Sequence, residues 1–195
     1  GLILEIVPNH MAASLENTWW HDVIEQGEHS RYARYFDIDW SRRLTLPFLG
    51  DDFDRVLQNN ELSVKPHPQT GRPALAYYDS FYPLTPTSWE NRVDEVLAIT
   101  DHEAIAELHQ QQPWQLISWR DARRDLSYRR FFEITGLVGV RVEDEDVFNA
   151  SHALILELVH HGAVSGLRVD HIDGLADPQG YLQRLRKATG PDCYI

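Results

Sequence analysis

Gly166-Leu167-Arg168-Val169-Asp170-His171-Ile172-Asp173-Gly174-Leu175-Ala176-Asp177-Pro178 passes from an apolar run through a charged end to a helix start. Gly166–Asp170 predicts a short strand. Successive side chains on a strand alternate faces, so Arg168 and Asp170 are expected to point the same way. Asp177 then stands as a helix N-cap, and Pro178 occupies the first helical position, where its missing N–H costs nothing. The helix is predicted to run through Leu185 to a stop at Gly190, with a new strand starting at Cys193. Strand, helix and strand within ~30 residues make one βαβ step.

Upstream, Ser151 is expected to cap a helix through His160, closed by Gly162. At the other end of the chain, Leu2–Val7 is an apolar run broken only by Glu5. Such runs suit a parallel strand covered on both faces. Pro8-Asn9-His10 then ends it with polar groups. The step from Asn9 to Asp170 is far longer than the next one. A barrel with one long excursion between strand and helix accommodates both spacings. Within the excursion, Asn17 predicts a capped helix to Gln26 with Gly27 as its stop, and Phe36–Trp40 alternates with period two. Asp51 or Asp52 opens a short helix through Leu57. Leu62–Lys65 and Ala74–Tyr78 flank a Gln69-Thr70-Gly71 turn, and Glu90–Ile99 and Asp101–Gln111 read as helices. The expected class is therefore α/β, a partial (β/α)8 barrel in three parts. Residues 1–13 carry one barrel strand, 14–150 form a large, mainly helical insertion, and 151–195 supply helix, strand, helix and the start of a further strand.

Composition narrows the partners. A formal charge of −12 disfavours nucleic acid and anionic membrane surfaces, both of which select clustered Lys and Arg. The acidic block Glu143-Asp144-Glu145-Asp146 reads as a solvated face. A neutral sugar suits this balance, and six Trp and eight Tyr offer flat surfaces, although large aromatics also serve as core. Cys193 is the single cysteine, so no disulfide framework or Cys-based metal cluster is expected, which fits a cytoplasmic location. No apolar run approaches the ~20 residues of a membrane span. The abrupt first and last residues suggest a piece of a longer protein, and open strand edges suggest self-association.

Two strand ends carry candidate chemistry. A cation two residues from Asp170 on one face favours its ionised form. An anion so placed is what a glycosidic nucleophile requires beneath an anomeric carbon that develops oxocarbenium character. An Arg168–Asp170 ion pair that merely stitches the strand end is the equally open reading. His10 is either a sugar ligand or a satisfied capping histidine, and His160-His161 are helix-dipole partners. Asp170, His171 and Asp173 would also be legitimate metal ligands, but no second His or Cys stands at ligand spacing.

Glu5-Ile6-Val7-Pro8-Asn9-His10 and Gly166-Leu167-Arg168-Val169-Asp170 resemble the first two signatures of the α-amylase superfamily, at the ends of the third and fourth barrel strands. More specifically, the chain resembles the maltooligosyltrehalose synthases of glycoside hydrolase family 13. That resemblance rests on Ile6–Ala12, Phe36–Trp40, Leu46–Gly50, Tyr128–Ile134 and Gly166–Pro178. It implies an isomerase of carbohydrate metabolism that rebuilds the reducing-end α-1,4 linkage of a maltooligosaccharide as an α,α-1,1 linkage, forming trehalose by transglucosylation. It implies Asp170 as nucleophile and Arg168 as the residue that holds it. Substrate contacts are expected at His10, Asn9, Tyr128, Arg129, His171 and Asp173, and no cofactor or metal is expected. Phe131 and Phe132 either exclude water or fill the insertion's own core. An α-glucan hydrolase or 4-α-glucanotransferase on the same barrel is the alternative. The family's general acid and third carboxylate would lie beyond Ile195, so residues 1–195 alone are expected to be inactive. Two departures stand out: position 5 is Glu where the superfamily has Asp, and the fourth position after the nucleophile is Gly174 where many amylases have His.

Overall fold

The computed structural model describes residues 1–195, and the chain divides into two compact units. The first comprises Gly1–Met11, Tyr35–Asp37 and Gly139–Ile195, and the second Ala12–Arg34 and Ile38–Val138. The boundaries between the units fall after residues 11, 34, 37 and 138.

In the first unit, strand Ile3–Ile6 pairs in parallel with strand Gly166–Val169, with Glu5 opposite Arg168 and Ile6 opposite Val169. Tyr194 forms a parallel bridge to Gly166. Its carbonyl accepts the Leu167 N–H at 2.7 Å and its own N–H reaches the Ser165 carbonyl at 3.0 Å. The approach requires glycine, since a Cβ on Gly166 would stand 2.9 Å from that of Tyr194. The strand expected at Cys193 is present as this single bridge. Helix Pro178–Thr189 starts as expected, Asp177 accepting the Gly180 N–H at 2.9 Å, and stops at Gly190, whose φ is 82°.

The helix expected from Ser151 begins earlier, at Glu145, and runs to His160. Asp144 is its cap, accepting the Asp146 N–H at 3.0 Å, and Glu145 and Asp146 occupy the first turn. Carboxylates there meet the positive end of the helix dipole. The acidic block is thus a helix start and not simply a solvated face. Ser151 is mid-helix, donating to the Val147 carbonyl at 2.7 Å. Ile6, Phe148, Leu167, Tyr181 and Leu185 form the core of this unit. His152 is buried among them, stacked on Phe148 and bonded to the Tyr181 hydroxyl at 2.8 Å. Burial lowers its pKa, opposed by its bond to the Phe148 carbonyl.

The second unit corrects the expectation of a mainly helical insertion. Its helices are Thr18–Gln26, Phe53–Gln58, Val93–Leu97, His102–Gln110 and Ala122–Asp125. Strands Leu44–Leu49 and Trp114–Ser118 pair in parallel, and Leu62–Pro66, Pro73–Tyr77 and Ser80–Pro83 form an antiparallel meander. Asn17 and Gly27 bound the first helix as expected. The Glu90–Ile99 helix shrinks to Val93–Leu97, and of Phe36–Trp40 only single bridges form, Phe36 to Val140 in the first unit and Ile38 to Tyr128 in the second. Trp20, Leu44, Leu46, Leu75, Leu108 and Trp114 fill the core. Thr45 and Ser127 lock reciprocally inside it: each hydroxyl accepts the other's backbone N–H at 2.8 Å. No helix in either unit is long and apolar enough to cross a membrane.

Candidate active site

The parallel register of the first unit puts Glu5 directly opposite Arg168, and alternation puts Asp170 two residues further on the same face. The Arg168 guanidinium spans both. Nη1 donates to the Glu5 carboxylate and Nη2 lies 3.2 Å from Asp170 Oδ1. Glu5, Arg168 and Asp170 remain 56%, 59% and 47% exposed. Ion pairs this wet contribute only ~0–1 kcal/mol to stability. The arrangement does more to orient Asp170 than to hold the strands together. Asp170 is further anchored by its N–H, which donates to the Ile6 carbonyl at 2.9 Å.

Immediately after Asp170 the chain reverses. His171 adopts φ 55°, ψ 40°, a left-handed conformation uncommon for a residue with a Cβ. This turn aims its ring toward His10, with centroids 6.5 Å apart and planes at 69°. Asn9 is buried, and its side-chain oxygen accepts from His10 Nδ1 at 2.6 Å, leaving Nε2 of a neutral ring as an acceptor. Gly174 closes the group: a Cβ there would stand 2.4 Å from Asn9 Nδ2 and 2.5 Å from His171 Cδ2. A histidine at this position, as many amylases have, would collide with both. Asp173 is exposed, 3.7 Å from His171 Nδ1.

Among the expected site residues, the fold therefore gathers Asn9, His10, Arg168, Asp170, His171 and Asp173 within one unit. Glu5 joins them as the second carboxylate on Arg168. In sequence it stands as the interruption of an apolar run and as a departure from the superfamily's Asp, and its pairing with Arg168 follows from the register of the two strands. Tyr128 and Arg129 belong to the second unit. Tyr128 is a core residue there, edge-on to Trp20 at 5.2 Å, with its hydroxyl donating to the Thr135 carbonyl. Burial raises that hydroxyl well above the ordinary tyrosine range. Arg129 is exposed. Phe131 and Phe132 pack edge-on at 4.5 Å, and Phe132 is 70% exposed, so it does not fill the core. No three His, Cys, Asp or Glu side chains converge in metal-binding geometry.

An anion on a wet strand end, oriented by a shared cation and flanked by two imidazoles, can attack an electrophilic carbon while neighbouring groups hold hydroxyls. Comparison with known proteins gives this arrangement a context. No family model matches the chain. It is 39% identical, over 202 aligned positions, to a Mycobacterium tuberculosis protein named as a maltooligosyl trehalose synthase, covering 100% of this chain and 23% of that protein. It resembles the solved maltooligosyltrehalose synthase of Arthrobacter ramosus with a TM-score of 0.81 and 39% identity, over 97% of this chain and 23% of that one. A Sulfolobus tokodaii structure described as a hypothetical maltooligosyl trehalose synthase gives 0.78 and 36%, over 98% and 24%. The chain spans about a quarter of the length of these relatives. Along its whole length, it belongs to the maltooligosyl trehalose synthase family.

Proposed function

We propose that these residues supply the nucleophile side of an active site that converts the reducing-end α-1,4 linkage of a maltooligosaccharide into an α,α-1,1 linkage. The observation that carries this reading is the Arg168 guanidinium shared between Glu5 and Asp170 at two parallel strand ends. Asp170 attacks the anomeric carbon as the glycosidic C–O bond breaks, and a general acid delivers a proton to the departing oxygen. The freed glucose then attacks with its anomeric hydroxyl, returning a proton to that acid and releasing Asp170. Both half-reactions need the Asp170 carboxylate aligned with the anomeric carbon, which is the task of Arg168. His10 and His171 contact the hydroxyls of the sugar under attack, and Gly174 leaves room for Asn9 and His171 beside it.

In the full-length enzyme the acid and the third carboxylate come from other strands of a (β/α)8 barrel, to which Ile3–Ile6 and Gly166–Val169 contribute adjacent strands. Residues 1–195 alone are accordingly expected to show no turnover. Incubation of the full-length enzyme with maltopentaose tests the activity. Reducing ends should fall as the α,α-1,1 product accumulates. A rise in reducing ends would identify a hydrolase instead.

A further inference from the structure

The second unit contains a groove of about 590 Å³, within the size range of pockets that bury a drug-sized ligand. It is lined from separate segments: the loop before helix Thr18–Gln26, the end of strand Leu44–Leu49, and the turns at Gln69 and Asp79. None of the strand-end residues described above belongs to its lining. Its apolar lining joins Leu15, Ile24 and Pro68 to the rings of Phe48, Phe81 and the buried Tyr82. Phe48, 37% exposed, lies over Tyr82 with centroids 6.4 Å apart and planes within 28°. Phe81 meets His67 edge-on at 5.7 Å. The polar lining includes the exposed carboxylates of Glu16 and Asp79 and the amide of Gln69, and no Lys or Arg takes part. His67 Nδ1 accepts the Gln69 N–H at 3.2 Å, which places the proton of a neutral ring on Nε2 as a donor.

A lining with two carboxylates and no cation repels phosphates, nucleic acid and acidic peptides. Flat aromatic faces beside planar hydrogen-bonding groups match a pyranose ring, which is apolar on its C–H faces and rich in hydroxyl donors at its rim. We propose that this groove binds a run of α-1,4-linked glucose units as a site of its own. The choice of linkage rests on the function proposed above; the choice of a neutral saccharide rests on the lining.

Hydrogen-exchange mass spectrometry of the chain with maltohexaose or cellohexaose locates the contact, and calorimetry measures its strength. Maltohexaose should slow exchange in the segments around Phe48, Gln69 and Phe81, and cellohexaose should not. Phe48→Ala should weaken binding about tenfold. Asp79→Asn, at an exposed turn where folding is undisturbed, should weaken it a few-fold. No protection in these segments with maltohexaose would overturn the inference, whatever happens near Asp170. Protection near Asp170 alone would do so while leaving the proposed function standing. Equal protection by cellohexaose would overturn the linkage, and unchanged affinity in Asp79→Asn would overturn the site even if Phe48→Ala failed to fold.

Discussion

Arg168 holds two carboxylates with one cation, and that sharing sets what substitutions there should do. Asp170→Asn removes the attacking anion but keeps the shape, so turnover of the full-length enzyme should fall to roughly one per cent or less with the circular dichroism spectrum unchanged. Arg168→Lys replaces a planar fork with a point charge that cannot serve Glu5 and Asp170 in parallel. Its kcat should drop at least about tenfold with little change in KM. An Asp170→Asn enzyme that retained substantial turnover would end the nucleophile assignment. The proximity of Arg168 and Asp170 was readable from period-two alternation alone. Glu5 was not, because cross-strand register depends on residues more than 160 positions apart. Tyr128 shows the converse. Resemblance suggested a sugar contact, but the local sequence contains nothing to reveal that the hydroxyl is engaged by Thr135.

Among the elements, those with explicit caps and the hairpin closed by a short turn are legible in sequence, and those paired over long separations inside the excursion are not. Asn17, Asp101 and Asp177 each accept a backbone N–H at a helix start expected from sequence. Asp144 does the same inside a run of acids, where four adjacent charges hid the one that caps. Asp144→Ala should cost about 1 kcal/mol in urea unfolding. Strand Leu44–Leu49 is hidden in sequence by Pro47; the ladder shifts register between Leu46 and Leu49, which accommodates a residue without an N–H.

Helix His102–Gln110 also carries a pH dependence. His109 Nε2 accepts the Leu116 N–H at 3.0 Å, and burial, followed by the nearby Arg43 charge, pushes its pKa down to about 3 from an ordinary 6.5. The unfolded chain therefore takes up a proton below pH 6.5 that the folded chain refuses until about pH 3. Stability present above that window is lost as pH falls through it, by up to ~1.4 kcal/mol per pH unit. His152 adds to the loss in the same direction. Urea midpoints at pH 7.5, 6 and 5 should decline, and less steeply in His109→Gln, whose side-chain oxygen can still accept from Leu116.

At the scale of the whole molecule, strand Ile3–Ile6 is paired on one side only, and Ile3 and Tyr194 are 56% and 70% exposed. Open edges beside apolar side chains recruit further strands. Light scattering coupled to size exclusion should show the mass of residues 1–195 rising with concentration, and a constant monomer mass would show that these edges are harmless. The two parallel strands, the long excursion between them and, inside it, the hairpin of Leu62–Lys65 with Ala74–Tyr78 are legible in sequence. The parallel pair Leu44–Leu49 and Trp114–Ser118 is not, because its partners lie some 70 residues apart.

The reciprocal lock of Thr45 and Ser127 has a kinetic meaning. It joins positions 82 residues apart, directly ahead of Tyr128 and the aromatic turn that follows it. Breaking either bond alone strands a buried donor at a cost of ~1–3 kcal/mol, which favours their opening together. The Tyr128 segment is thereby tied to the slowest breathing of its unit, and small fluctuations at the surface leave its root in place.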